Sequence, residues 1–291
     1  MAQPVRKAIL PVGGMGTRFL PATKSMPKEM LPVVDKPLIQ YAVDEAREAG
    51  IEQLIFVTGR GKTAIEDHFD HAYELQDILT RLKKTSALEL VKETIPTPGQ
   101  LAFIRQQEPL GLGHAVWCAR HFAGEEPVAV LLADDLILNA PGCLRQMVDA
   151  YAQVGGNMIA TMEVATEQTA SYGVIDAGES SGQLIEVRGL VEKPKPADAP
   201  SNLAVIGRYI IQPNIFNDLA RMEQGAGGEI QLTDALARQV GKTPFHGFRF
   251  EGKRFDCGSK VGFLEANIAY AMKRVDMAPQ MQDIINTFVK G

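Results

Sequence analysis

An α/β fold, with a mixed and mainly parallel central sheet flanked by helices, is what the sequence predicts, on three observations. Short apolar runs alternate with stretches of helical periodicity, several of those runs are apolar throughout as strands covered on both faces are, and a glycine-rich turn directly follows the first run. The 291 residues suffice to bury a core of their own. A composition that is 45% hydrophobic and 22% charged excludes collagen-like, low-complexity and disordered classes. Thirty Lys and Arg stand against 35 Asp and Glu, a net charge of −5. That balance argues against nonspecific binding to nucleic acid or to an anionic membrane, so any phosphate site must be local.

Residues 7–12 and 53–58 are apolar runs with a helical stretch between them, which makes a βαβ unit. Pro37 suits the first helical position, Leu38, Ile39, Ala42, Val43, Ala46 and Ala49 fall on one face, and Gly50 closes the end. A third strand is expected at 101–105, then a helix at 113–121, then a wholly apolar strand at 128–133. A helix follows Pro141 as far as Tyr151. Residues 157–164 and 183–188 alternate less cleanly and read as added or mixed strands, and 204–211 reads as one more. Helices are expected at 230–240, 262–273 and 277–291. Residues 71–93 form a helical, charge-rich insertion, and 193–201 form a Pro/Ala-rich surface loop. With no internal repeat and no splitting linker, the expectation is one domain over 1–291, elaborated by helices at 262–291.

Cys118, Cys143 and Cys257 are odd in number and lack CxxC spacing, which fits neither a disulfide framework nor a zinc site. A cytoplasmic protein is expected. Residues 1–7 lack the apolar core of an export signal, and no run approaches the ~20 apolar residues of a membrane span.

Gly13, Gly14, Gly16 and Thr17 follow the first strand, where small residues let backbone N–H groups approach a polyphosphate. A tight βα connection accounts for the same glycines. A dinucleotide fingerprint needs a third Gly where Phe19 stands, and a Walker A loop ending at Gly61-Lys62-Thr63 needs one at Phe56, so both are rejected. Arg18, Lys24 and Lys28, interrupted by Pro21 and Pro27, put three cations on an ordered loop that suits a triphosphate. Asp134 and Asp135 end the apolar run at 128–133, at the carboxyl edge where open α/β sheets bind ligands, and serve either as Mg²⁺ ligands or as a turn or cap. Gln106 follows the strand at 101–105, and its amide offers the donor and acceptor that a pyrimidine edge requires, with Gln107 one position away. His114 reads as a helix-start structural residue and Cys257 as packing.

The stretch Gly-Met-Gly-Thr-Arg18-Phe-Leu-Pro-Ala-Thr-Lys24-Ser-Met-Pro-Lys28-Glu-Met-Leu-Pro32 resembles the signature of the sugar-1-phosphate nucleotidylyltransferases. Its Lys-Glu-Met-Leu-Pro ending is similar to that of the bacterial UTP–glucose-1-phosphate uridylyltransferases in particular. Arg105-Gln106, Gly111-Leu-Gly-His-Ala115, Leu132-Ala-Asp134-Asp135, Ser171-Tyr-Gly173, Val191-Glu192-Lys193-Pro194, Gly227-Gly-Glu229-Ile-Gln231-Leu-Thr-Asp234 and Arg254-Phe-Asp256-Cys-Gly258 match family blocks in order, so the likeness spans the chain.

The resemblance implies a Rossmann-like nucleotidyltransferase fold and Mg²⁺-dependent transfer of UMP from UTP to glucose 1-phosphate by direct in-line attack, yielding UDP-glucose and pyrophosphate. It implies that Gly13, Gly14, Gly16 and Thr17 meet the nucleotide, Arg18 and Lys28 the triphosphate and departing pyrophosphate, and Gln106 and Gly111 the base. Gly173, Glu192 and Val205 fall to the sugar and Lys193 to the incoming phosphate. Asp134 and Asp256 fall to the metal, with Asp135 a neighbour. Self-association as a dimer or tetramer is the family habit. Two readings stay open beside it: a nucleotidylyltransferase for another NTP or sugar phosphate, such as dTTP with glucose 1-phosphate, and a non-catalytic nucleotide-sugar sensor.

Overall fold

The computed structural model describes residues 2–289. In chain order its strands are β1 (Lys7–Pro11), β2 (Pro32–Val33), β3 (Lys36–Pro37), β4 (Gln53–Thr58), β5 (Leu101–Arg105), β6 (Val128–Leu131), β7 (Asp135–Leu138), β8 (Asn157–Glu163), β9 (Gly173–Ser181), β10 (Leu184–Glu192), β11 (Leu203–Ile211), β12 (Phe245–Arg249) and β13 (Lys253–Asp256). The helices are α1 (Leu38–Glu48), α2 (Thr63–His68), α3 (Tyr73–Arg81), α4 (Thr85–Glu93), α5 (Leu112–Cys118), α6 (Arg120–Ala123), α7 (Cys143–Val154), α8 (Ile215–Leu219), α9 (Leu232–Ala237), α10 (Lys260–Lys273) and α11 (Ala278–Val289).

Nine strands form one sheet in the order β5-β4-β1-β6-β11-β8-β12-β10-β9. Ala8 and Leu10 of β1 pack into one core with α1 and α7, while Ile9 faces a second core with α5, so the strand is buried on both faces. Each large aliphatic side chain removed from water in this way contributes roughly 1.5–3 kcal/mol. A third core joins Leu31, Val33, Leu136, Phe255, Cys257 and Ala266 beneath the small β7–β13 sheet. Cys257 is therefore packing, as expected.

The expected predominance of parallel pairs holds only for β5-β4-β1-β6. Beyond it β11 runs antiparallel to β6 and β8, β12 is parallel to β8, and β10 is antiparallel to β12 and β9. The sheet is mixed, in part because β9 and β10 are joined by Gly182 and Gln183 alone, a connection that can only make a hairpin. The helix expected at 230–240 shortens to α9, since the Ile230 N–H is bound to the Leu110 carbonyl at 2.7 Å and the Ile230 carbonyl accepts from Gly113 N–H at 2.8 Å. The stretch at 113–121 divides into α5 and α6, the insertion at 71–93 is α3 and α4, and the tail forms α11, its last two residues lying outside the described ones. Val261, Leu264 and Ile268 on α10 and Ile284 and Phe288 on α11 are exposed. No described helix is long and apolar enough to cross a membrane.

Candidate active site

The chain leaves β1 through Val12 into the glycine-rich loop. Gly16 stands at φ +64°, a left-handed conformation, and a Cβ there would lie 3.2 Å from the Lys28 side chain and 3.3 Å from Thr23. The Thr23 hydroxyl donates to the Gly16 carbonyl at 2.7 Å, closing the loop. Among the described residues no backbone carbonyl accepts from the N–H groups of residues 13–16. Unpaired N–H groups in succession, with Gly14 and Met15 exposed, are what an anionic phosphate chain seeks. Thr17 and Arg18 follow in a short 3-10 turn and are exposed.

Pro27 starts a further short turn, the third of the loop, that carries Lys28 inward. The Lys28 Nζ donates to Asp134 Oδ2 at 2.6 Å, tying the loop to the carboxyl end of β6. Burial opposes the ammonium charge of Lys28, but the carboxylates of Asp134 and Glu29 outweigh it and raise its pKa. Burial likewise works against the Asp134 carboxylate, yet Lys28 beside it brings its pKa below the ordinary value. Both groups are charged at neutral pH. The adjoining Glu29 is buried and pairs with buried Lys62 at 2.8 Å.

The second carboxylate arrives from far along the chain. Pairing of β13 with β7 sets Asp256 opposite Asp135, and the Cys257 N–H donates to the Asp134 carbonyl at 2.8 Å. A Cβ on Gly258 would stand 3.0 Å from Asp256 Oδ1, 3.1 Å from Asp134 Oδ2 and 3.5 Å from Arg18 Nη1. Glycine at 258 thus leaves a small space on which two carboxylate oxygens converge. No cluster of three or more His, Cys, Asp or Glu suited to a metal occurs among the described residues. Mg²⁺ needs none, since one or two carboxylates with water and substrate phosphates complete its shell. Oxygen donors of this kind fit that ion.

Asp135 has a different task. Its Oδ2 accepts from the Gly207 N–H at 2.8 Å, and its Oδ1 accepts from Arg254 Nε at 2.7 Å and from Nη2. Arg254 also donates from Nη1 to the Tyr172 hydroxyl at 2.9 Å. On the other side of the same turn, fully buried Arg208 donates to the carbonyls of Leu132 at 2.9 Å and Asp135 at 2.8 Å and makes a bidentate pair with Glu45 on α1. The backbone on both sides of Asp134 is held by one guanidinium.

Gly173 opens β9 opposite Glu192 of β10, and a Cβ there would come within 3.1 Å of Glu192 Oε2. Lys193 follows at φ +48°, its backbone N–H on the Tyr172 carbonyl at 3.0 Å and its Nζ 3.6 Å from Glu192 Oε1. At the end of β5, Gln106 is buried, and its Nε2 donates to the Gly111 carbonyl at 3.1 Å. Gly111 stands at φ +112°, and a Cβ on it would collide with the Ile230 carbonyl at 2.8 Å, so a side chain is excluded. Gln107 is exposed.

A cleft of about 290 Å³ brings together Arg18, Asp134, Asp256, Gly173, Glu192, Lys193 and Val205 of the sequence-expected residues. Lys28 joins them through Asp134, whereas Gln106, Gly111 and the loop glycines form an adjoining wall outside that lining. Sequence reasoning did not single out Tyr172, Arg254 or Arg208 as site residues. An arginine inside the apolar run Leu-Ala-Val-Ile-Gly-Arg-Tyr-Ile-Ile was a legible signal for the last, since a buried guanidinium requires a carboxylate.

The profile of the nucleotidyl transferase family matches residues 7–273 of the chain. A UTP–glucose-1-phosphate uridylyltransferase of Komagataeibacter xylinus is 55% identical over 90% of this chain and 92% of that protein. A solved UDP-glucose pyrophosphorylase complexed with UDP-glucose superposes with a TM-score of 0.85, at 46% identity over 93% of this chain and all of that one. A UTP-bound enzyme from Acinetobacter baumannii gives a TM-score of 0.89, at 41% identity over 97% of this chain and 98% of its own.

Proposed function

The chain belongs to the nucleotidyl transferase family, and on that premise we propose which of its residues carry the transfer. It converts UTP and glucose 1-phosphate to UDP-glucose. In our reading a phosphate oxygen of glucose 1-phosphate attacks the α-phosphorus of UTP in line, one P–O bond forms, the α–β bridging bond breaks, and pyrophosphate leaves with the bond's electrons. No protein nucleophile is required, so the protein's part is alignment and charge stabilisation.

The observation that supports this assignment is that one cleft is lined by Arg18, Asp134, Gly173, Glu192 and Lys193, with Lys28 tied to it through Asp134. Gly13, Gly14, Gly16 and Thr17 cradle the triphosphate. Arg18 and Lys28 hold it and neutralise the charge that accumulates on pyrophosphate. Gln106 and Gly111 receive the base, Glu192 accepts from glucose hydroxyls, Val205 lines the ring's side, and Lys193 meets the incoming phosphate as a point charge. Asp134 and Asp256 would hold Mg²⁺, which when bound draws charge from phosphate oxygens. We read residues 1–291 as one catalytic domain of Rossmann-like nucleotidyltransferase topology, acting in the cytoplasm. The exposed apolar row on α10 and α11 favours a dimer or tetramer.

Pyrophosphate release with glucose 1-phosphate and Mg²⁺, measured for UTP, dTTP, CTP, ATP and GTP separately, is expected to be fastest with UTP. A faster rate with dTTP would overturn the base assignment. Gly173→Ala is expected to raise the KM for glucose 1-phosphate about tenfold, because the new methyl meets Glu192 and Thr233 at 3.1–3.3 Å. Equal KM values in the two enzymes would remove Gly173 from the sugar site.

A further inference from the structure

The orientation of the Gln106 amide is dictated by its partners. A carbonyl only accepts, so the amide atom 3.1 Å from the Gly111 oxygen must be Nε2. That nitrogen also lies 3.0 Å from His114 Nδ1, and its second hydrogen needs an acceptor there. His114 Nδ1 is therefore unprotonated, and the ring proton sits on Nε2, directed at Cys118 Sγ 3.8 Å away. Trp117 lies parallel to the imidazole at 6.0 Å between centroids, and Arg120 covers Trp117 in turn, which holds the ring in place. The Gly111 carbonyl is equally fixed, since it also accepts from Ala115 N–H at 3.1 Å in the first turn of α5.

With both amide hydrogens engaged, Gln106 has only Oε1 left to offer. No donor among the described residues reaches it, and it stands over the glycine-rich loop, 3.1 Å from where a Gly13 Cβ would be. An acceptor locked in that place suits a base whose edge presents a ring N–H. Uracil carries N3–H, whereas the N3 of cytosine is itself an acceptor and would face Oε1 lone pair to lone pair.

We propose that His114 is a positioning residue that sets base selectivity, by binding the second Gln106 amide hydrogen so that only Oε1 faces the nucleotide. The inference rests on the reading that Gln106 meets the base. Without the imidazole acceptor one amide hydrogen is left unpaired inside the protein, and the side chain leaves its fixed orientation to satisfy it. Discrimination is then lost even though no group that touches the substrate has changed.

The test is a one-pot competition with equal UTP and CTP, glucose 1-phosphate and Mg²⁺, reading the ratio of UDP-glucose to CDP-glucose formed. His114→Leu is expected to lower that ratio at least tenfold, through a higher KM for UTP. His114→Asn, whose Oδ1 can stand in for Nδ1, is expected to restore most of it. Should the leucine variant not fold, as judged by circular dichroism, His114→Ala takes its place. An equal fall in both products at an unchanged ratio means that His114 only packs, and overturns the proposal. Gln106→Leu separates the two levels: if it lowers the ratio while His114→Leu does not, His114 has no positioning role. If neither changes the ratio, the base reading of Gln106 fails and the proposal with it.

Discussion

Asp134→Ala lowers turnover by about a thousandfold or more while the chain remains folded. Removing one preorganised charge contact from a site of this kind costs about 10²–10³ in rate, and Asp134 contributes to two. It holds the Lys28 ammonium at 2.6 Å, and its Oδ2 faces the same small space over Gly258 as Asp256 Oδ1. The backbone at 134 keeps its own supports, the Arg208 contacts to Leu132 and Asp135 and the bond from Cys257, so folding does not depend on the carboxylate. Pyrophosphate release across a Mg²⁺ titration, with a thermal melt of the same preparation, measures both. A rate near that of the parent enzyme at saturating Mg²⁺ would remove Asp134 from the site.

Arg208→Met has the largest effect on stability. The guanidinium is completely buried, and its loss leaves the Glu45 carboxylate, itself mostly buried, without a counter-charge and takes one donor from each of the Leu132 and Asp135 carbonyls. Breaking a buried pair from one side costs about 3–5 kcal/mol, which in a chain of this size lowers the melting temperature by roughly 10 °C. Turnover also falls, because the turn that presents Asp134 loses its clamp. Glu45 further accepts from Leu144 N–H at 2.9 Å, joining α7 to the same knot. The double variant Arg208→Met, Glu45→Met is expected to melt above the single one, since the stranded charge is gone. Thermal melts of both singles and the double decide it, and a loss under about 1 kcal/mol for Arg208→Met would sink this account.

Those two residues also show what could be read in advance. The glycine-rich loop, its cations and Asp134 were legible because each depends on neighbours in sequence: a turn after a strand, prolines that order a loop, a carboxylate at a strand end. Asp256 was not legible from its surroundings, since what brings it to Asp134 is its pairing with Asp135, 121 positions away, and only the family resemblance pointed to it. Strand direction was misjudged beyond β6 for a related reason. A run buried on both faces is apolar whether its neighbour runs parallel or antiparallel, so β11 carries no mark of its direction. The strands β7 and β13 escaped because each has four residues, too few to show an alternation. His114 was read as a structural helix-start residue, and its tie to Gln106 emerged only from the path of the main chain around Gly111.

The β7–β13 pairing also orders events in time. During synthesis the glycine-rich loop, β6 and β7 leave the ribosome long before residues 253–256 exist. At ~5–20 residues per second, β7 waits on the order of ten seconds with an open edge. A nascent chain in that interval carries the glycine-rich loop and Asp134 but not Asp256, nor at first β9, β10 and the central strand β11. The meeting of Asp134 and Asp256 comes late, when the far strand closes on an edge that has been waiting for it.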